Sequence, residues 1–337
     1  MRTLIISDLH LGTRLRHDVL RRPVALERLL EALQGVERLV LLGDAVELME
    51  GRAQRALAVA EPVLRAIGAG LGAGAEVIVV PGNHDGPLIR AWVRANLSRL
   101  QAETRVPADA SPALARLCQW LSPARTEIRY PGVWLTPRVW ATHGHYVDLH
   151  LFPRSSYGIS RGLVGGLPQA PTSPAAYERG RRASASAVSR WLPRSLAAVV
   201  EDAADLLRAA MMPQVRRRLL NPRIAPLTSS LLALQLRLAG VPTLAHIAQR
   251  LGVDADWLVF GHVHRLGPIA DDEPAQWRGP GGRPRILNTG SWLYEPLLVH
   301  RATAPHPYWP GGAVLLEDGE DPRAVGLLDD LGPTALR

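Results

Sequence analysis

The sequence predicts an α/β protein, and three observations predict it. Short runs rich in Ile, Val and Leu, at Thr3–Ser7, Arg38–Leu42 and Glu76–Val80, read as buried strands. Between them, Val24–Leu33, Ala53–Ile67 and Pro87–Leu100 carry apolar residues at helical spacing. Such strand–helix alternation predicts a largely parallel sheet. The composition agrees, because 337 residues that are 47% hydrophobic and 21% charged exclude a mainly disordered, collagenous or coiled-coil chain.

Further short strands are expected at Thr126–Tyr130, Val133–Leu135 and Val139–Thr142. A last group is expected at Trp257–Phe260, Arg285–Asn288, Ala313–Glu317 and Ala324–Leu328. The pattern breaks between them. Phe152–Pro174 is rich in Gly, Pro and Ser, and helical patterning follows at Ser195–Met212, Ser229–Leu238 and Thr243–Leu251. Strand-like sequence resumes at Asp256. The expectation is a discontinuous domain, residues 1–149 and 253–337, interrupted by a helical cap or lid over 150–252.

The charge excess is local. Arg and Lys total 39 against 31 acidic residues, and every basic side chain is an arginine. Leu151–Ile224 holds twelve Arg and four acidic residues, which equals the whole chain's formal +8. Its Arg181–Arg182 and Arg216–Arg218 runs sit among Trp191, Leu192, Met211, Met212, Leu219 and Leu220. Mixed basic and apolar residues suggest an anionic membrane surface or a lipid-linked phosphate. A solvated cap is the bland alternative, and nucleic acid a third, with few aromatic residues to stack on bases. The single cysteine, Cys118, excludes a disulfide framework and a Cys-based zinc module. No apolar run approaches the roughly 18 residues of a membrane span. Asp8 comes too early for a signal peptide. The expected location is the cytoplasm, with peripheral contact at the inner membrane face as an option the arginines leave open.

Five blocks carry the chemistry: SDLHLG (Ser7–Gly12), GDAVE (Gly43–Glu47), GNHD (Gly82–Asp85), THGH (Thr142–His145) and FGHVH (Phe260–His264). Each follows a predicted strand, and strand ends converge on one sheet edge, where α/β proteins place their sites. The blocks supply Asp8, His10, Asp44, Asn83, His143, His262 and His264. Carboxylates, an amide and imidazoles without a thiolate suit divalent Mn, Fe, Zn or Co. On continuing strands, Asp8 and His10, and likewise His262 and His264, would point the same way. Glycines before Asp44, Asn83 and His262 would let the backbone turn sharply there. His84, beside Asn83, is then free to handle protons.

These ordered blocks resemble the calcineurin-like metallophosphoesterase superfamily, whose pattern is DxH, GDxx(D/E), GNH(D/E), a lone His and GHxH. The resemblance spans about residues 3–145 and 255–292, including NTGSW (Asn288–Trp292). It implies a four-layer αββα sandwich and two divalent metal ions, Mn first and Fe, Zn or Co as alternatives. By position, Asp8, His10, Asp44 and His264 would hold one ion. Asp44, Asn83, His143 and His262 would hold the other, with Asp44 bridging. Two such cations clamp a phosphate and activate water for in-line attack. His84 would protonate the leaving group or stabilise charge on the phosphate, Asp85 would orient it, and Glu47 would add a supporting hydrogen bond. In THGH, His143 is preferred as the ligand because it follows the apolar strand. His145 is open between substrate contact and solvent. Arg14 is grouped with Glu47 and His145 as a residue that would support ligands or bind substrate.

Within the superfamily, SDLHLG, GDxxE and helical sequence after the fourth block resemble bacterial UDP-2,3-diacylglucosamine pyrophosphatases. This chain departs from them with GNHD, where they carry Arg for His, and with HGH, where they carry HGD. The resemblance implies a phosphodiesterase or pyrophosphatase acting on an anionic, lipid-linked phosphate. The alternatives are a nucleic-acid phosphodiesterase and a non-catalytic scaffold on the same fold.

Overall fold

The computed structural model describes residues 1–151, 172–185, 240–299 and 302–337. Strands β1 (Arg2–Ile6), β2 (Arg38–Leu41) and β3 (Glu76–Val79) form at the first three apolar runs. They are followed by β4 (Glu103–Val106), β5 (Arg125–Thr136), β6 (Val139–Thr142), β7 (Trp257–Phe260), β8 (Leu266–Gly267), β9 (Arg285–Thr289), β10 (Gly312–Glu317) and β11 (Arg323–Gly326). Hydrogen bonds join them in the order β11-β10-β1-β2-β3-β5-β6-β7-β9-β8, with β4 paired to β5. The fold is mixed α/β around this large sheet. The ladders β1–β2, β2–β3, β3–β5, β6–β7 and β7–β9 are parallel. Those of β1–β10, β10–β11, β4–β5, β5–β6 and β8–β9 are antiparallel. The largely parallel expectation therefore holds within two runs, β1-β2-β3-β5 and β6-β7-β9, which the antiparallel β5–β6 ladder joins in the middle of the sheet.

The two expected strands at 126–130 and 133–135 are one strand, β5. Pro131 and Gly132, which look like punctuation, mark the point where β5 leaves β3 and β4 and begins to pair with β6. Gly132 is required there because a Cβ would stand 2.3 Å from the Trp140 ring.

Helices α1 (Pro23–Ala32) and α2 (Ala53–Leu71) fall where expected. The expected helix at 87–100 is instead α3 (Arg90–Ala95) between two short 3₁₀ turns. The Asn96 side-chain amide donates to the Trp92 carbonyl at 2.9 Å, and Asn96 leaves helical geometry at φ −114°. α4 (Pro112–Trp120) starts on Ser111, whose hydroxyl accepts the Leu114 N–H at 3.2 Å, with Pro112 in the first helical position. Next come α5 (Asp148–Leu151), α6 (Pro174–Ala185) and α7 (Val241–Arg250).

Strand alternation divides the apolar side chains among three buried clusters. Leu4, Ile6, Leu39, Leu41, Val77 and Val79 face Leu29, Leu64, Ile67, Leu114 and Leu117 of the helices. Their neighbours Ile5, Val40 and Ile78 face the other way, into a cluster shared with Val133, Val139, Val259 and Leu287. Trp140, Leu258, Phe260 and Ile286 form the third cluster with Leu244 and Ile247 of α7 and Tyr177 of α6. β6 and β7 are adjacent and parallel. The chain between the fourth and fifth blocks thus departs and returns at neighbouring strand ends. The expected helices Ser195–Met212 and Ser229–Leu238, and the Arg216–Arg218 run, lie outside the described residues. Among the described residues, no helix is long and apolar enough to cross a membrane.

Candidate metal centre

The five blocks begin where β1, β2, β3, β6 and β7 end. The strands stop short of the ligands. Asp8, His10, Asp44, His262 and His264 all have positive φ, at 54°, 43°, 53°, 68° and 56°. Side-chain alternation along a continuing strand is therefore not what aligns Asp8 with His10 or His262 with His264. Left-handed turns at the ligands themselves bring the pairs together. The block glycines also act differently from the expectation. Gly43 does turn the chain at φ 88°, while Gly82 and Gly261 serve close approach. A Cβ on Gly82 would stand 2.3 Å from Asp44 Oδ1, and one on Gly261 would stand 2.3 Å from Ser7 Oγ. Backbone bonds knit the first two blocks together, from Asp8 N–H to Gly43 C=O at 3.0 Å and from His10 N–H to Asp44 C=O at 2.8 Å. The fifth block is tied down by Asn288, whose amide donates to Gly261 C=O at 2.7 Å.

Two groups of side chains emerge. The ligand atoms of Asp8, His10 and His264 lie within 4.8 Å of one another, as do those of Asp44, His143 and His262. Asn83 joins the second group, its Oδ1 3.1 Å from His143 Nε2. Asp44 stands between the groups, with Oδ2 3.2 Å from His143 Nε2 and 3.8 Å from His10 Nε2. In each aspartate one oxygen is committed and the other is turned inward. Asp8 Oδ2 accepts from the Ser7 hydroxyl and, at 2.9 Å, from the His262 N–H. Asp44 Oδ1 accepts the His84 N–H at 2.8 Å.

The imidazoles follow the same rule. His10 Nδ1 donates to Glu47 Oε2 at 2.8 Å, and His143 Nδ1 donates to Leu42 C=O at 3.0 Å. Their Nε2 lone pairs are thereby aimed at carboxylate and amide oxygens, which are themselves acceptors. His10 Nε2 also faces His264 Nε2 at 3.3 Å. Asp8 Oδ1 is fully buried and makes no hydrogen bond. With the rings neutral, these lone pairs converge with no donor among them, an arrangement that fits a cation, and the oxygen–nitrogen donor set fits a divalent one.

The electrostatics agree. Burial pushes Asp8 and Asp44 toward the neutral form, but His264 and His10 around Asp8 and His143 around Asp44 outweigh it and hold both carboxyls below the usual range. Burial likewise opposes charge on His143, yet Asp44 and Asp8 raise it to about 9. His10 is raised well above its ordinary value against burial, by Asp8, Glu47 and Asp44. This field holds protons where cations would sit.

Around these groups the structure reassigns two roles. Asp85 does not orient the His84 ring. Its buried carboxylate accepts the N–H groups of Ala45 at 2.9 Å and Gly82 at 2.6 Å, pinning the second block to the third. Burial and the neighbouring Asp44 push its carboxyl up to about 6. Glu47 is the partner of His84 instead, 2.7 Å from Nδ1, and the same carboxylate holds His10. His84 completes a third close group with His10 and Asp44, its ring edge-on to His10 at 4.7 Å. His145 faces neither solvent nor an open site. It is 1% exposed, behind His143, with Nε2 3.3 Å from the Tyr130 hydroxyl. Tyr130 in turn donates to Glu178 of α6 at 2.5 Å. Arg14 is exposed, and its backbone N–H reaches Glu50 at 3.3 Å. Among the described residues, Asp148, which belongs to no block, also reaches the centre, its Oδ1 2.7 Å from His262 Nε2.

Residues 1–162 match the family model described as calcineurin-like phosphoesterase. With the five-block centre, this match supports membership of the metallophosphoesterase superfamily, whose domain implies metal-dependent hydrolysis of phosphoesters. No curated protein sequence matches the chain.

Proposed function

We propose that this protein is a hydrolase that uses two divalent cations, Mn first among them, to cleave a phosphodiester or pyrophosphate bond. The observation that carries the reading is the pair of ligand groups with Asp44 Oδ2 between them, 3.2 Å from His143 Nε2 and 3.8 Å from His10 Nε2, and with the orphaned Asp8 Oδ1 facing inward. Asp8, His10, Asp44 and His264 would hold one cation, and Asp44, Asn83, His143 and His262 the other. When bound, the two ions polarise the phosphate and supply activated water.

The protein's own groups do the rest. Glu47 takes the Nδ1–H of His84 and leaves Nε2 facing outward on a ring that is 29% exposed. Burial disfavours the charged ring, but Glu47 and Asp44 raise His84 above its ordinary value. His84 Nε2–H is thus the donor for the leaving oxygen. Gly82, Asp85 and Ala45 fix the backbone on which His84 and Asn83 sit.

We read the three apolar clusters as the spaces between the layers of an αββα sandwich, and residues 150–252 as an insertion in a host of 1–149 and 253–337. An anionic, lipid-linked substrate or membrane surface is proposed from the arginines of Leu151–Ile224 alone.

The test is hydrolysis of a chromogenic phosphodiester beside the matching monoester, with added Mn²⁺ and with His84→Ala as control. The expected result is preferential diester cleavage that His84→Ala lowers by about 10²–10⁴-fold with bound metal unchanged. Preference for the monoester would overturn the diesterase reading, and metal binding without turnover of any phosphoester would favour a scaffold. Salt-sensitive cleavage of DNA or RNA would move the substrate to nucleic acid.

A further inference from the structure

The second ligand group contains a histidine one of whose ring nitrogens is held by a residue outside every motif. Asp148 is the first residue of α5, five positions after His143, and its side chain is 42% exposed. Its Oδ1 lies 2.7 Å from His262 Nε2, a length typical of a charge-assisted hydrogen bond. We propose that Asp148 is a positioning residue for the second cation, accepting the Nε2–H of His262 so that Nδ1 carries the lone pair offered beside Asp44 and His143.

The argument is one of proton inventory. A neutral imidazole has one donor and one acceptor nitrogen, and an ionised carboxylate can only accept. At 2.7 Å the shared proton therefore belongs to Nε2, and Nδ1 is left with the lone pair that a cation needs. Two of the other ligand rings follow the same logic with their nitrogens exchanged, since His10 and His143 each give Nδ1–H to a protein acceptor and keep Nε2 for the centre. Hydrogen bonds of this kind fix ring orientation and tautomer and raise ligand basicity.

Asp148 has a specific task because the rest of His262 is already fixed. Its N–H is held by Asp8 Oδ2 at 2.9 Å, and its ring stands edge-on to His143 with centroids 5.2 Å apart. Rotation of the ring about its own side-chain bonds is the freedom that Asp148 removes. The two ligand groups are also anchored from different places. Glu47, in the second block, serves His10 of the first group, whereas Asp148 heads the chain running from the fourth block to the fifth. Loss of Asp148 should therefore fall on one cation and spare the other.

This inference rests on the two-cation reading above, and the experiment separates the two. Zn²⁺ is titrated by chelator competition into wild type, Asp148→Ala and Asp148→Asn, and imidazole ¹⁵N spectra are taken of each chain without and with Zn²⁺, with His262→Gln to assign the ring. Expected are two ions in wild type and a second-site affinity about 10–100-fold weaker in Asp148→Ala, with the first site unchanged. Asp148→Asn, whose amide oxygen still accepts, should fall between them. The wild-type ring should be protonated at Nε2 before loading and coordinate through Nδ1 after it. Unchanged second-site affinity in Asp148→Ala overturns the proposal alone. So does a wild-type His262 protonated at Nδ1, or an Asn variant as weak as the Ala variant, which would make Asp148 a ligand or a bare charge. Uptake of a single ion by wild type overturns the two-cation reading and this proposal with it.

Discussion

Gly82 passes so close to Asp44 that any side chain on it would collide with Oδ1, the oxygen that accepts the backbone N–H of His84. The collision partner is a buried carboxylate wedged between two ligand groups, so it has nowhere to retreat. Gly82→Ala should displace Asp44 and both groups at once. We expect activity to fall by about 10²-fold or more, since misplacement near 1 Å has that effect. Bound metal, counted by elemental analysis, should fall with it. Full metal content in an active Gly82→Ala protein would refute this account of the glycine.

Glu47 is predicted to act on two histidines at once. Its carboxylate holds Nδ1 of His10 and of His84, and their opposition to burial keeps its own carboxyl down at about 2. Glu47→Ala should weaken the first cation by about 10–100-fold through His10. It should also lower kcat at saturating metal through His84. Raising the metal concentration should restore only the first defect, and complete recovery at high Mn²⁺ would show that His84 does not depend on Glu47.

Metal and protons should compete in a defined window. The ordinary imidazole value of 6.5 rises to about 9 for His143, because Asp44 and Asp8 overcome burial. A raised folded-state value gives stability that is complete below pH 6.5 and lost as pH climbs through about 9. In chelator, the melting temperature should fall across that interval. Cation binding must expel the His143 proton, so metal affinity should rise over the same interval. Calorimetry in buffers of different ionisation enthalpy will count the released protons. A melting temperature flat from pH 6.5 to 9 in chelator would contradict the shift.

Tyr177 should prove structural. It is fully buried in the third cluster, stacks on Tyr146 with centroids 4.6 Å apart, and shares a 2.9 Å hydrogen bond with His150. Tyr177→Ala should cost about 3–5 kcal/mol in urea unfolding, as large aromatic deletions do. Tyr177→Phe should cost about 1 kcal/mol, the hydrogen bond alone. Equal losses would mean that the hydroxyl, not the ring, anchors α6.

The sequence revealed the strands and the five blocks because both are local signals. β6 and β7 fall where the apolar runs predict them, and each block opens at a strand end. The polar edge strand β4 and the helix α4 escaped notice, since Glu-Thr-Arg-Val gives no alternating apolar run. β5 was divided because Pro131 and Gly132 punctuate a strand whose two halves pair with different neighbours. At the centre, residue types were legible but partnerships were not. Adjacency suggested Asp85 as the partner of His84, yet the backbone turns Asp85 toward Ala45 and leaves Glu47, 37 positions away, to hold the ring. Asp148 escaped for the same reason, lying 114 positions from His262. Such contacts depend on the path of the folded chain, which no spacing rule encodes.

Five residues that carry side chains hold left-handed backbone in this centre: Asp8, His10, Asp44, His262 and His264. Each such residue costs on the order of 1 kcal/mol. Together they draw on a reserve comparable to the lower end of a whole domain's net stability. Natural drift should therefore act on these positions in a particular way. A lineage that stopped using the centre would gain robustness from the first glycine or asparagine to arise at any of them, and selection for stability alone would erase the constellation. Glycine at any one of the five should therefore relax the backbone while it removes a ligand from the centre.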